Sequence, residues 1–528
     1  MGYLYISPLV KLILCFTIPL ILLTVFISFN KGITPDLSLS SLSSKTSSIR
    51  VSTKDLRLRI DGEIGGITKE ANVVAEDYVL STPHNLVIQA AANSPVFAPD
   101  GNETSVIVKE EMSPNSNDIF DETHANASLS PTMIEEKVAS DIDKLEIGLQ
   151  KVRAAIKEAK YTTNRTYQDP DFQPVGPIYW NANAFHRSYI EMEKRFKVFV
   201  YEEGESPLFH NGPCKSIYST EGNFIHQMEV NDQFRTKNPN KAHVFFLPFS
   251  VTMMVHFLYQ PESRSFDFIK HTVTDYIDVI SSKYPFWNRS LAADHFMLSC
   301  HDWGPIASFS VPYLKENSIR VLCNANTSEE FQPRKDVSLP EINLQPGPTS
   351  TFFGGPSPSN RSILAFFAGG NHGPIRPSLL EHWGNKSDED MRIHTYLPQN
   401  VSYYDLLKNS KYCLCPSGYE VASPRIVEAI YTGCVPVLIS DHYVPPFSDV
   451  LNWKAFSVEV AVEDIPKLKT ILLSISRVRH MKMYRRVLQV RKHFEVHSPP
   501  QRYDFFHMIL HSVWLRRLNV HVHDHQEL

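Results

Sequence analysis

The stretch 412–441, YCLCPSGYEVASPRIVEAIYTGCVPVLISD, leaves this chain few folds to choose from. Residues 412–415 are short and apolar, as a buried strand would be, and Pro416, Ser417 and Gly418 break the run. Ser423 and Pro424 read as a helix N-cap followed by proline at the first helical position. Ile426, Val427, Ala429 and Ile430 give that helix its apolar face, and Gly433 is placed to stop it. Residues 435–439 form a second buried strand. The whole is a strand–loop–helix–strand unit, the building block of a parallel sheet.

Two acids sit in this unit, Glu420 in the loop and Glu428 on the helix, and Arg425 lies in the first helical turn. A helix N-terminus beside an arginine suits a diphosphate, and an acid one turn further along can accept hydrogen bonds from ribose hydroxyls. The plain alternative is a helix packed on a sheet with a surface Glu–Arg pair.

The same alternation of strands and helices extends upstream. Residues 196–201, 242–249, 295–300 and 319–323 read as buried strands, with a helix over 266–283 between them. Residues 346–358 (PGPTSTFFGGPSP) mark a linker. A second α/β series begins with the strand 363–368 and continues through 412–415, 435–439 and 456–460. Helices over 465–475, 477–496 and 502–518 follow. Two α/β domains, 179–358 and 359–528, are therefore expected to face each other across a cleft. In such sheets ligands bind beyond the carboxyl ends of the strands.

Ahead of these domains the character changes. Residues 12–29 are apolar and uncharged, lie between Lys11 and Lys31, and are just long enough to span a bilayer. No small-x-small site follows directly, which favours a retained signal anchor over a cleaved signal peptide. The flanking lysines do not settle orientation, but sequons at Asn102, Asn126, Asn164, Asn288, Asn326, Asn360, Asn385 and Asn400 all follow the segment. We expect a cytosolic tail (1–11), one transmembrane anchor (12–29) and a lumenal bulk. Residues 30–178, serine-rich at 38–48 and without cysteine or tryptophan, read as a flexible stem. Within the stem, 134–159 carries apolar residues at helical spacing and suggests a self-association helix.

Composition closes off some classes. A formal net charge of −5 and a pI near 6.5 argue against a nucleic-acid binder. Of the seven cysteines, six lie in the expected folded region, where an oxidising compartment would permit disulfides whose pairing the sequence does not give. Cys413 and Cys415 are too few for a structural zinc site. Asp388-Glu389-Asp390 resembles a metal-binding Asp-x-Asp, but no buried strand leads into it, and it reads as a solvated acidic loop.

Residues just after the strands are the site candidates. After 363–368 comes GGNHGPIRP, in which Gly369 and Gly370 allow close backbone approach to a phosphate and Arg376 could clamp a diphosphate. After 295–300 comes HDWGP, whose His301 and Asp302 suit the proton-accepting role of sugar transfer. Glu221 and His226 are rivals for that role. Each motif has a structural alternative: a tight glycine turn in the first case, a capped turn packed by Trp303 in the second.

These motifs resemble a known family. YEEGESPLFHNGPC (201–214), IYSTEG (217–222), DHFMLSCHDWGP (294–305), RVLCNANTS (320–328), LAFFAGGNHGPIRP (364–377) and CLCPSGYEVASPRIVEAIYTGCVPV (413–437) are similar to plant-type members of the exostosin family, glycosyltransferase family 47. Members that transfer xylose to pectin are among the relatives in pattern. The resemblance implies a GT-B-like fold of two Rossmann-like domains behind an N-terminal anchor and stem. It also implies a single-pass type II Golgi membrane enzyme that inverts configuration while moving a sugar from a nucleotide sugar, expected to be a UDP-sugar, onto a cell-wall polysaccharide such as pectin or hemicellulose. Domain 359–528 would bind the donor through Gly369, Gly370, Arg376, Glu420, Ser423, Arg425 and Glu428, with Glu428 on the ribose and no metal needed. Domain 179–358 would face the acceptor. Complexes with other glycosyltransferases would be expected partners. The competing expectation is a catalytically silent lumenal subunit of a polysaccharide synthase complex.

Overall fold

The computed structural model describes residues 140–161, 169–171, 176–347, 349–384, 386 and 388–523. The apolar segment 12–29, the tail before it, most of 30–178 and the sequons at Asn102, Asn126, Asn164 and Asn385 lie outside the described residues. Among the described residues no helix is long and apolar enough to cross a membrane.

Helices α1 (Asp141–Tyr161) and α2 (Ala182–Arg195) lead into strand β1 (Val198–Val200). Helix α3 (Ser219–Glu229), β2 (Val244–Leu247), α4 (Val251–Leu258), α5 (Asp267–Lys283), β3 (His295–Ser299), β4 (Ile319–Leu322) and β5 (Val337–Ser338) follow. The five strands form one parallel sheet in the order β1-β2-β3-β4-β5. Their residues are all buried and mostly apolar, because helices cover both faces of the sheet.

The second half holds β6 (Ile363–Ala368), α6 (Ile375–Trp383), β7 (Met391–His394), α7 (Tyr403–Asn409), β8 (Ser410–Pro416), α8 (Arg425–Thr432), β9 (Val435–Ile439) and β10 (Val458–Glu459). These strands are also parallel, in the order β10-β9-β8-β6-β7. The winding direction reverses between β6 and β8, which opens a crevice at their carboxyl ends, the usual ligand position in such a sheet. The expected strands are present but shorter in the first half, and β5 and β7 were not anticipated. Ser423 is not the expected cap: Pro424 precedes α8, while Gly433 ends it in the left-handed region (φ 68°).

Helices α9 (Leu468–Ser474), α10 (Arg477–Val490) and α11 (Phe505–Leu518) close the chain. The expected helix over 477–496 stops being α-helical at Val490 and ends in a 3-10 turn, Arg491–Phe494. Helix α11 does not stay with the second half as the 359–528 boundary implied. It returns to the first sheet, where Phe506 meets Phe224 (5.4 Å) and Trp514 meets Phe196 (5.2 Å). Arg516 donates to the Asp336 and Pro333 carbonyls, and Arg517 to the His243 carbonyl. One hydrophobic core runs through both halves.

The stem reading also changes at its end. Helix α1 buries Leu149 and Val152, and Arg153 donates to the carbonyls of Leu518 and Val520. Asp169 is held by Arg502 and Tyr503. The apolar stripe that suggested self-association is thus spent on the chain's own body.

Among the described residues two disulfides form, Cys300–Cys323 and Cys413–Cys434, the second joining the middle of β8 to the residue before β9. The first links the ends of β3 and β4 across a separation of 23 residues. Closing a loop of that length stabilises a fold by about 3 kcal/mol. Cys300→Ser/Cys323→Ser should therefore melt several degrees lower, as differential scanning calorimetry would show; an unchanged melting temperature would mean that the bridge adds nothing.

Candidate active site

In the crevice of the second sheet, β6 ends at Ala368, and the carbonyl of Ala368 accepts from Nη2 (3.0 Å) and Nε (3.3 Å) of Arg425. Arg425 and Arg376 both stand over the Phe367 ring, at 5.3 and 5.9 Å. Burial, then the Arg425 charge, pulls the Arg376 pKa down to about 10, so Arg376 remains cationic at neutral pH. A buried and a half-buried guanidinium group side by side form a site for a polyanion.

The glycines make this approach possible. A Cβ on Gly369 would lie 2.5 Å from Nη2 of Arg425, and one on Gly373 (φ +69°) would lie 1.8 Å from the Gly418 carbonyl oxygen. Gly369→Ala should displace the guanidinium and weaken nucleotide binding by about tenfold, or about 1.4 kcal/mol, which calorimetric titration with UDP would read. Unchanged affinity would detach Gly369 from the site. Gly370 lies beside His372, whose ring stacks on Tyr419 at 5.5 Å.

Two donors here lack a partner among the described residues, Nε of Arg376 and the Ser423 hydroxyl, both buried. Glu428 is buried in the first turn of α8 and accepts from the Tyr403 hydroxyl (2.8 Å). Glu420 is buried in the loop before α8. Its Oε2 accepts from Nδ2 of Asn324 (2.8 Å), which also donates to the Asp302 carbonyl (3.1 Å) and so couples the two halves.

On the first-half side, the ring of His301 lies against Tyr218 (4.8 Å) and Trp303 (5.3 Å). The Trp303 N–H donates to Nδ1 of His301 (3.1 Å), and burial pushes its pKa down to about 3. The neutral ring therefore carries its proton on Nε2. A general base needs a vacant lone pair, and the Nδ1 lone pair of His301 is occupied by the Trp303 N–H. The Tyr218 hydroxyl bonds to Asp302, and burial first, then Asp302 and Glu341, raises the phenol pKa.

The rival bases also fall away. Glu221 is fully buried and accepts from the Ser250 hydroxyl, Thr252 N–H, Ser299 hydroxyl and Cys300 N–H. It clasps the ends of β2 and β3 and has no room for substrate. His226 is exposed on α3. In the acidic loop Lys469 pairs with Asp388 (2.8 Å) and Asp390 (3.1 Å), and the described residues hold no cluster of three or more metal-ligating side chains. Asn326 is 8% exposed and bonded to Glu329 and Ser328, so that sequon offers no acceptor in the folded protein. Asn288, Asn360 and Asn400 are exposed.

Sequence reading missed Phe367, Tyr403, Asn324 and Glu341. Phe367 was within a quoted motif, and its place two residues before Gly369 was the available signal. Asn324 likewise lies within RVLCNANTS (320–328), while nothing local marks Tyr403 and Glu341.

The Exostosin GT47 domain model matches residues 192–475. A probable glycosyltransferase of Arabidopsis thaliana is 64% identical over 400 residues, 76% of this chain and 76% of that protein. Probable beta-1,4-xylosyltransferase IRX10 of Arabidopsis thaliana is 31% identical over 344 residues, 60% of this chain and 82% of its own. A probable glucuronosyltransferase of Oryza sativa subsp. japonica is 30% identical over 347 residues, 60% of this chain and 80% of its own. Among solved structures, a chain from the crystal structure of TarM has a TM-score of 0.22 and 11% identity, covering 38% of this chain and 52% of that one, a likeness too slight to carry weight.

Proposed function

The chain belongs to the exostosin GT47 family and is a glycosyltransferase, and from that premise we propose that it transfers a sugar from a UDP-sugar to a cell-wall polysaccharide with inversion. The observation that carries the donor half of this reading is the pair of the buried Arg376 and the half-buried Arg425 at the β6/β8 crevice, with unpartnered donors at Arg376 Nε and Ser423. A diphosphate would take those donors, and Glu428, steadied by Tyr403, is placed one turn into α8 for the ribose. Two parallel-sheet halves joined by a returning last helix support a GT-B arrangement with the acceptor on the first half. The names of the relatives, a xylosyltransferase and a glucuronosyltransferase, support a hemicellulose or pectin acceptor.

The reading places the catalytic body in the Golgi lumen behind the 12–29 anchor. The exposed sequons and the two disulfides support an oxidising secretory compartment. No metal is required in it, since the arginine pair supplies the charge a cation would otherwise bring to the leaving diphosphate.

Thermal shift of the full chain against a panel of UDP- and GDP-sugars, with and without EDTA, tests this. Stabilisation by one UDP-sugar, lost in Glu428→Ala and unmoved by EDTA, is the expected result. Loss on EDTA addition would overturn the metal-free reading. No shift with any nucleotide would favour a silent subunit of a synthase complex.

A further inference from the structure

The proposed transfer needs a group that takes the proton of the acceptor hydroxyl, and His301 and Glu221 are both committed elsewhere. We propose that Glu341, in the segment just after β5, is that group. This rests on the glycosyltransferase reading and identifies its general base.

Glu341 lies beyond the carboxyl end of a first-half strand, the edge that bounds the cleft in a parallel sheet. Its backbone is pinned on both sides. The Thr220 hydroxyl donates to the Pro340 carbonyl (2.8 Å) and the Ser219 hydroxyl to the Ile342 carbonyl (2.5 Å). Both donors come from the first turn of α3, one and two residues before the Glu221 clasp. The carboxyl is therefore held by the same rigid corner that fixes the ends of β2 and β3, as a reacting group must be.

Its surroundings are those of a proton acceptor. Glu341 is 4% exposed, and no hydrogen-bond donor reaches its carboxyl among the described residues. The other cleft acids are all engaged: Asp302 with Tyr218, Glu420 with Asn324, Glu428 with Tyr403. The charged groups acting on Glu341 come from both halves. Asp302 and Glu428 repel its charge, while Arg425 and Arg376 attract it, and the phenols of Tyr218 and Tyr443 lie within reach of its charge. Burial first, then Asp302, raises its pKa well above the usual carboxylate value. That moves the group toward the pH at which a carboxylate is an effective base.

The step balances. The acceptor oxygen bonds to the anomeric carbon as its proton passes to the Glu341 carboxylate. The bond from the anomeric carbon to the phosphate oxygen breaks, and its electron pair leaves on the nucleoside diphosphate, where Arg376 and Arg425 meet the charge. Glu341 then returns its proton to water. Only ionised Glu341 accepts a proton, so kcat/KM rises with pH through its pKa.

The test uses the full chain with UDP-xylose, UDP-galactose, UDP-arabinose and UDP-glucuronic acid, with xylan and pectin oligosaccharides as acceptors and UDP release as readout. UDP-induced thermal shift serves as a separate check of folding and donor binding. Glu341→Gln should keep the UDP shift, lose at least about a hundredfold in kcat and lose the acid limb of the pH profile. Asp302→Asn should keep the limb but move it to lower pH, because one of the charges that raises the Glu341 pKa is gone. A limb that survives Glu341→Gln, or vanishes in Asp302→Asn alone, overturns the assignment and leaves the transferase reading intact. UDP binding by the wild type without turnover on any donor counts against the base and the transferase together. Absence of UDP binding by the wild type removes the donor reading itself.

Discussion

Arg425→Ala is expected to lower kcat/KM for the sugar-nucleotide donor by about a thousandfold, about 4 kcal/mol of transition-state stabilisation. The expectation follows from how the side chain is fixed. Two of its nitrogens are spent on the Ala368 carbonyl, and its plane lies over Phe367, so the guanidinium cannot swing to follow a ligand. A charge held in place before reaction, where water is excluded, stabilises a leaving diphosphate without reorganisation. Arg376 cannot stand in, because it approaches the same ring from a different helix. Arg425→Lys should recover little, since a single ammonium cannot hold the carbonyl with two donors and still face the ligand. Steady-state kinetics by UDP release, with a melting curve for each variant, would check this. A loss below about fivefold, or 1 kcal/mol, would move the diphosphate site away from the β6/β8 crevice.

The second large effect is on stability. Glu221→Ala should cost about 3–5 kcal/mol, as removal of a buried hydrogen-bonding hub with four donors does. It strands the hydroxyls of Ser250 and Ser299 and the N–H groups of Thr252 and Cys300. Glu221→Gln should cost nearly as much, because the amide turns one oxygen into a donor where only donors wait. Urea denaturation would measure both, and a cost below about 1 kcal/mol would mean that water satisfies these groups. Since His301 follows this corner directly and Glu341 is pinned to the same helix, variants that still fold should also lose turnover.

The sequence showed the second half of the site far better than the first. Strands 363–368 and 435–439 could be read to the residue because they are unbroken apolar runs closed by glycine or polar turns. The glycines of the β6 turn and Arg425 followed from what a phosphate demands of a helix start. Sequence could not show that Arg376 and Arg425 share one aromatic ring, since they come from different crossovers. Glu341 stayed hidden because the strand before it, Val337–Ser338, is too short to carry any periodic signal. His301 was read for its chemistry, but its tautomer depends on a backbone N–H two residues on, which only the folded turn places. The 502–518 helix was visible as a helix, yet its partner, the first sheet, is far back along the chain, and hydrophobic pattern does not name partners.

The return of helix α11 to the first sheet has a consequence for how the protein is made. A chain emerging from the ribosome offers β5 long before Phe505–Leu518, the segment that covers it. At roughly 5–20 residues per second, that interval is on the order of ten seconds or more. During it the first half carries an uncovered apolar face and cannot complete its core, so it must be shielded while the second half is still being built. Premature termination within the last helix would therefore harm the half of the molecule that was synthesised first.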